Sequence, residues 1–482
     1  MAARDETFCP AALRRYVLIA AIIASAMAFI DGSVVSIAVP AIRESLDASL
    51  TQIQWINTAY LLSLSALILV GGAAGDRYGV ARVFTWGIAG FVLASLLCAL
   101  APTAEALIPA RAAKGVAAAV MVPGSLAILS RAYPRAERGR AIGIWAAASA
   151  VTTAVGPILG GALLSWGSAE LWRVIFLINL PLGGVALWLM CTKVPRDRPV
   201  GGVGLDWTGA ALVTLALGML AWAMTGQGSA PGGAHLIGWG GTGLAVLAAF
   251  IAWEARATHP MLPLRLFAMP GFAAANALTF TLYFSLSAVL FYLPMVLIAN
   301  WGISELQVVL LFLPLTLFIA PLSGPAGALA GRIGPAPLIG TGSALVALAY
   351  ASLALWIGAQ DFWGHVLPSM ALMGLGMALV VAPLSAAVMG SVEDGDSGAA
   401  SGINNAISRM AGLVAVAAMG GVASWAFARA GGDPAAGFGD PAASRAAADA
   451  GFAAIAWVTA TLAALSSGIG YALLPWGRPA AS

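Results

Sequence analysis

Charged side chains are scarce in this sequence: Asp, Glu, Lys and Arg together make up 9% of its 482 residues. Soluble domains carry about 25% of such residues, which they need to cover a surface that faces water. Hydrophobic residues, in contrast, make up 61% of the chain. The composition therefore excludes an ordinary soluble globular protein and predicts a chain that lies in a lipid bilayer.

Cysteine and histidine are also rare, with three of each, and neither type is clustered. Metal sites and disulfide frameworks need these residues at close, regular spacings. We therefore expect no metal and no bound cofactor, and the scattered histidines give no catalytic set that an enzyme would need. The formal net charge of +3 is small, and no nucleic-acid partner is expected.

Long apolar runs take the place of the missing charges. A helix needs about 20 apolar residues to cross a membrane, and about fourteen runs meet this length. They lie near residues 16–38, 53–73, 83–101, 105–129, 141–165, 172–191, 208–226, 235–253, 273–298, 304–323, 337–358, 365–389, 401–428 and 452–474. The first run follows two arginines as in a signal peptide, but it is too long for one, so we interpret it as an uncleaved helix.

Lys and Arg are distributed unevenly between the predicted loops. Of the 23 such residues, sixteen lie on the side that holds both termini, four lie on the opposite side, and three lie inside spans. Cytoplasmic loops of membrane proteins are enriched in Lys and Arg. Both termini are therefore predicted to be cytoplasmic, which agrees with an even number of spans.

One internal repeat is visible. Residues 72–79 follow the second run, residues 327–334 follow the tenth, and both segments end in Gly-Arg-x-Gly or a close variant of it. Arg77 aligns with Arg332, whereas Gly331 stands where Asp76 would be. Internal repeats are typical of secondary transporters, whose two halves move about a central site.

Short motifs occur in a specific order along nearly the whole chain. They are Asp31-Gly-Ser-Val-Val-Ser36, Gln54-Trp55, Gly72-Ala-Ala-Gly-Asp76-Arg77-Tyr-Gly79 with Arg82, Arg111-x-x-x-Gly115, Gly156-Pro157-Ile-Leu-Gly160-Gly161, Trp172-Arg173, Leu205-Asp206-Trp207 and Gly374-Leu-Gly376. In this order and spacing the set resembles the 14-helix drug:proton antiporters of the major facilitator superfamily.

The resemblance implies a fold and a function. The fold is an all-α integral membrane protein with two six-helix bundles, at residues 1–198 and 261–482, and two inserted helices at residues 199–260. The function is that of a secondary active transporter, which exports a small amphipathic drug or metabolite in exchange for protons. Such a protein uses a proton gradient rather than a cofactor and lies in a bacterial-type inner membrane.

The resemblance also assigns roles to two motifs. The antiporter motif comprises Gly156, Pro157, Gly160 and Gly161, whose small residues allow a kink and close helix contact. The conformational gate comprises Gly72, Asp76, Arg77, Gly79 and Arg82. This second motif departs from the family pattern at Val80 and Ala81, where basic residues are usual.

Asp31 is the one carboxylate that lies well inside an apolar run. At about 1.5 Å per residue, Asp31 in the first span and Arg111 in the fourth both lie about 10–14 Å below the outer surface. Burial disfavours an ionised carboxylate and a neighbouring arginine favours it. We therefore predict that Asp31 and Arg111 couple transport to protons, the alternative being a fixed ion pair that only joins two helices.

A substrate cavity is predicted from one charged residue and several aromatic ones. Lys114 lies three residues after Arg111, so both point to nearly the same face of the fourth helix, too deep to reach either surface. The aromatic candidates are Trp55, Tyr60, Tyr283, Phe284 and Tyr292. Core packing and contact with lipid are the commoner fates of such aromatic residues.

Other functions remain open at this point. The same fold carries other cargoes, such as an organic anion or a lipid, and only a substrate screen separates these carriers from a drug exporter. A membrane enzyme would need a nucleophile–base set or metal ligands, which the sequence does not offer. A channel fits the repeated halves and the deep carboxylate less well than alternating access does.

Overall fold

The structure is a computed structural model. It describes residues 8–134, 137, 141, 144–145, 148, 152, 156, 158–166, 168–197, 204–225, 233–258, 260–392, 397–433 and 437–476. Within these ranges every regular element is a helix. The predicted all-α class is therefore confirmed.

Fifteen α-helices are numbered here in chain order within the described ranges. They are α1 (Arg14–Leu46), α2 (Leu50–Tyr78), α3 (Val80–Leu100), α4 (Ala104–Ala132), α5 (Trp172–Leu177), α6 (Asn179–Thr192), α7 (Trp207–Thr225), α8 (Gly233–Glu254), α9 (Pro270–Ala299), α10 (Glu305–Val308), α11 (Leu313–Ile333), α12 (Pro335–Trp356), α13 (Leu367–Gly390), α14 (Ser397–Arg429) and α15 (Arg445–Leu473). Short 3-10 turns join α10 to α11 and precede α5.

Thirteen helical stretches in the described part of the chain are long and apolar enough to cross a membrane. Each corresponds to one of the runs seen in the sequence. The run at 141–165 has no counterpart among the thirteen, and 11 of its 25 residues lie outside the described ones. The helix α11 continues through Pro321 and Pro325 to Ile333.

The repeated motif adopts the same local geometry twice. Gly79 separates α2 from α3 with φ of +97°, and Gly334 separates α11 from α12 with φ of +87°. Residues with a Cβ rarely adopt such positive φ angles, which explains a glycine at both positions. Arg77 and Arg332, each two residues earlier, are exposed.

The chain divides into two compact units. The first comprises Met1–Ala48, Trp55–Gly218 and Ala245–Met261. In it α1 packs against α4 and α6, and α3 packs against α4, α5 and α6. The boundaries predicted at residues 198 and 260 stay a prediction.

The second unit comprises Ser49–Gln54, Met219–Leu244 and Leu262–Ser482. Its centre is formed by α9, which packs against α13, α14 and α15. The helices α12 and α15 pack along each other, and α13 lies against α11 and α12. Close contact at Gly342 and Gly376 allows this packing, because a Cβ on either glycine would meet the other's carbonyl oxygen at 2.6 Å.

Candidate functional site

Asp31 lies near the middle of α1 and is the only charged residue between Arg15 and Arg43. Only 1% of its surface is exposed. Its Oδ2 atom accepts a hydrogen bond of 2.7 Å from Nη1 of Arg111 on α4. The side chains of both residues are completely buried. The ion pair expected from the depths of the two residues is thus present in the structure.

Lys114 binds the other oxygen of the same carboxylate. Its Nζ atom lies 2.5 Å from Oδ1 of Asp31, and the Lys114 side chain is also completely buried. Arg111 and Lys114 lie almost one turn apart on α4, which brings both to one face of the helix. We call Asp31, Arg111 and Lys114 the charge cluster. With all three groups ionised it carries one net positive charge.

Aromatic rings and one backbone carbonyl complete the surroundings of Arg111. Its Nε atom donates to the carbonyl oxygen of Ile56 over 3.1 Å, and its guanidinium lies 4.4 Å from the centre of the Tyr60 ring. Its Nη2 atom has no hydrogen-bond partner among the described residues. Stacking on an aromatic face is favourable for an arginine, so the Tyr60 ring stabilises the buried guanidinium.

Two phenylalanine rings enclose Lys114. The Phe91 ring on α3 and the Phe176 ring on α5 each have their centre 4.6 Å from the lysine nitrogen. Aromatic faces attract a cation, but unlike a carboxylate they carry no net negative charge that would neutralise it. The only carboxylate that contacts the two buried cations, within the described ranges, is Asp31.

This arrangement is suited to bind and release an ion. Burying an ion pair costs several kcal/mol of desolvation per charge, and removing one partner leaves the other uncompensated. Ionisable groups inside membrane spans are rare and usually mark ion pathways. The buried cluster of one acid and two bases is therefore a candidate ion-binding site.

The residues predicted for a substrate cavity fall into two groups. Lys114 and Tyr60 lie together at the charge cluster, and Trp55 is partly exposed on α2 in the same unit. The other three lie on α9 in the second unit, where Tyr283 is partly exposed while Phe284 and Tyr292 are buried. The cavity role of all six stays a prediction.

Tyr292 instead belongs to a tight hydrogen-bonded contact in the second unit. Its hydroxyl donates to the carbonyl oxygen of Val416 on α14 over 2.6 Å. The amide of Gln54 donates to the Tyr292 oxygen over 2.7 Å. A Cβ on Gly420, one turn further along α14, would overlap the Gln54 amide nitrogen. The sequence motif contained Gln54 but gave no sign of this partner.

The predicted gate residues are only partly described. Gly72 lies within α2, Gly79 lies at the α2–α3 junction, and Arg77 and Arg82 are exposed. The side chain of Asp76 lies outside the described part of the structure. Their role in gating stays a prediction.

Asp197, which the sequence did not single out, caps the same junction. Its two carboxylate oxygens accept hydrogen bonds from the backbone amides of Val80, over 2.7 Å, and Ala81, over 2.9 Å. Arg131 at the end of α4 binds the same carboxylate over 3.1 Å. An acid at a helix N-terminus satisfies free amides and the helix dipole. The two positions where the motif lacks basic residues thus contact an acid through their backbone.

The antiporter motif is described at three of its four residues. Gly156, Gly160 and Gly161 are helical and buried, whereas Pro157 lies outside the described residues. A Cβ on Gly160 would come within 2.9 Å of the Val34 side chain on α1. This glycine therefore permits close contact with the helix that carries Asp31.

Two further buried carboxylates were missed because they lie near helix ends. Glu254 is the last residue of α8 and is 3% exposed, and Asp449 near the start of α15 is 4% exposed. Asp449 accepts hydrogen bonds from Trp301 over 2.7 Å and from Gln360 over 2.8 Å. Neither donor is charged, which distinguishes Asp449 from Asp31.

Comparison with known proteins identifies the family. The sequence matches the profile of the Major Facilitator Superfamily over residues 21–417, and again over residues 275–480. The chain belongs to this superfamily of membrane transporters, and the resemblance seen in its motifs is confirmed. It is a multi-pass membrane protein that carries a small-molecule substrate, and its family is not enzymatic.

Several relatives are resistance and export proteins. The methylenomycin A resistance protein of Streptomyces coelicolor is 30% identical over 400 residues, which are 82% of each chain. The cephamycin export protein CmcT of Amycolatopsis lactamdurans is 33% identical over 413 residues, which are 83% of each chain.

A solved structure supports the fold independently. The bacterial homologue of the human lysosomal transporter Spinster, in an inward-facing conformation, gives a TM-score of 0.68 at 17% identity. The match covers 96% of this chain and 97% of that one. This similarity shows the major-facilitator fold.

Proposed function

We propose that the protein exports small amphipathic molecules, drugs or metabolites, in exchange for protons, and that the charge cluster couples the two movements. The observation that carries this proposal is the buried carboxylate of Asp31, which is held by two cations with no exposed surface. The export direction is supported by relatives named for resistance and export.

The energy of one proton is sufficient for useful export. A membrane potential of about 100 mV supplies about 2.3 kcal/mol per elementary charge. This corresponds to a cargo gradient of about fiftyfold, since each 1.4 kcal/mol is a factor of ten.

Transport in everted membrane vesicles tests the proposal. The probes are a cation (ethidium), a zwitterion (norfloxacin) and an anion (carboxyfluorescein), which also separate a drug exporter from a carrier of organic anions. We expect accumulation of at least one probe when the vesicle lumen is acid, and its loss when an uncoupler removes the proton gradient. Accumulation that persists after the uncoupler would contradict proton coupling.

The proposed orientation places both termini in the cytoplasm of a bacterial cell, with the membrane being the inner one. It rests on the sixteen-to-four bias of Lys and Arg. An Arg478→Cys variant, made after replacement of the three native cysteines, should react with an impermeant thiol reagent only after the cells are opened. Labelling in intact cells would show that the orientation is wrong.

A further inference from the structure

The charge cluster contains two groups that gain or lose a proton under ordinary conditions, the carboxyl of Asp31 and the amine of Lys114. Arginine does not lose its proton in proteins, so Arg111 stays positive. Both cations bind the same carboxylate, one on each oxygen, at 2.7 Å and 2.5 Å. The question is therefore which of the two groups changes its charge.

Charge counting separates the two possibilities. With all groups ionised the cluster carries +1. A proton added to Asp31 would raise this to +2 and leave Arg111 and Lys114 facing each other without an anion. A proton removed from Lys114 would lower it to zero and leave the Asp31–Arg111 pair intact. In a site that water does not reach, a neutral cluster is favoured over one with two uncompensated cations.

The surroundings do not offset a second positive charge. In the described part of the chain, the titratable or charged groups acting on Lys114 are Asp31 on α1, Arg111 on α4 and the Cys98 thiol on α3. Tyr60 on α2 lies against Arg111. The walls around the lysine nitrogen are the Phe91 and Phe176 rings. Asp31 is thus the one anion within reach of both cations.

We infer that Lys114 carries the exchanged proton, while Asp31 and Arg111 remain ionised as a fixed pair. The inference rests on the proposed proton exchange and changes the role predicted for Lys114 from contact with cargo to proton transfer. The proton-loaded cluster then carries +1 and the proton-free cluster is neutral. The neutral amine of Lys114 takes up a proton from the acid lumen side, and the ammonium releases this proton when the opposite, cytoplasmic side becomes accessible.

The sequence offers a direct test, because Lys114 and Lys193 are its only lysines. Protein labelled with ¹⁵N-lysine gives two side-chain nitrogen signals, and Lys193→Arg assigns them by removing one. Lys193 follows α6 and is partly exposed. We expect the Lys114 signal to change from charged to neutral at a lower pH than the Lys193 signal. A Lys114 signal that stays charged until Lys193 has lost its proton would overturn the inference.

Transport by substituted proteins gives a second test with a readout beyond folding. Lys114→Arg keeps the positive charge but cannot release a proton, and Lys114→Met cannot bind one. Both should lose proton-driven accumulation of the probes and still exchange labelled for unlabelled probe across the membrane. Lys114→His restores a titratable group, and we expect coupling to return with its pH profile shifted to lower pH.

The outcomes distinguish this inference from the proposed function. If Lys114→Arg retains proton-driven transport, Lys114 is only a fixed cation, Asp31 is the carrier, and the inference is wrong while proton exchange stands. If the wild-type protein shows no dependence on the proton gradient with any probe, the proposed function itself fails. Lys193→Arg serves as the control and should transport like the wild type.

Discussion

The two compact units bury polar groups in different ways. The first unit buries three charges together, and its carboxylate is bound by two cations. In the second unit the described central contacts are between neutral groups, such as the amide of Asn404 with Thr279 over 2.6 Å and Tyr292 with Val416. Its buried carboxylate, Asp449, is bound by an indole and an amide. Among the described residues, buried charges that bind one another are therefore concentrated in the first unit.

The largest expected effect is the loss of transport in Asp31→Asn. The variant keeps the shape of the side chain but leaves Arg111 and Lys114 without their anion, and breaking a buried pair costs about 3–5 kcal/mol. Vesicle assays should show no proton-driven accumulation.

Asp449→Asn is the matched control in the second unit. Its free energy of unfolding should fall by about 1–3 kcal/mol, because one amide proton of the new asparagine then faces a hydrogen-bond donor. The variant should still accumulate the probes. Equal inactivity of the two variants, at equal amounts in the membrane, would remove the distinction between the units.

A smaller effect is expected from Gly420→Ala in the second unit. The added methyl would overlap the Gln54 amide, and overpacking of this kind costs about 1–3 kcal/mol. Gly421→Ala is the control, since its Cβ would meet its nearest neighbour, the carbonyl oxygen of Met224, at an ordinary 3.6 Å. The unfolding temperature in detergent should be lower than that of the wild type in Gly420→Ala but not in Gly421→Ala. Equal unfolding temperatures would show that this contact is not tight.

Asp197→Ala tests a charge of the first unit that lies outside the cluster. The change frees two backbone amides at the start of α3, and loss of an N-terminal cap costs about 0.5–2 kcal/mol. The exposed Arg82 provides the comparison, because Arg82→Ala should leave the unfolding temperature almost unchanged. Proton coupling should persist in Asp197→Ala, and its loss there would extend the coupling machinery to this junction.

The smallest effect should come from Tyr292→Phe. It removes the hydroxyl that donates to Val416 and accepts from Gln54, and a buried hydrogen bond contributes about 0.5–1.5 kcal/mol. Tyr350→Phe is its control, because the Tyr350 hydroxyl is buried without a hydrogen-bond partner among the described residues. Tyr350→Phe should be as stable as the wild type or slightly more stable. A greater loss of stability in Tyr350→Phe than in Tyr292→Phe would contradict the contacts described here.

The sequence predicted the elements that depend on composition and spacing. The lengths of the apolar runs predicted where the helices lie. Counting residues along α1 and α4 predicted that Asp31 and Arg111 lie at the same depth. The second cation was not predicted as a partner of Asp31, because helix spacing shows that Lys114 shares a face with Arg111 but not how far its flexible chain bends toward α1.

Contacts between segments far apart in the chain could not be predicted from the sequence either. Asp197 follows α6 by several residues, and no local pattern connects it with the amides of Val80 and Ala81. Asp449 was passed over because it lies close to a helix end, where carboxylates are usually exposed. Such positions depend on how helices pack, which a single sequence does not specify.

The most direct test of the central claim is proton movement in proteoliposomes that contain only the purified protein. Valinomycin with equal potassium on both sides removes the membrane potential, so a pH gradient is the only driving force, and a pH-sensitive dye reports the lumen. We predict that adding a transported probe releases protons from an acid lumen in the wild type but not in Asp31→Asn. Probe movement without proton release in the wild type, or equal release in Asp31→Asn, would contradict the account.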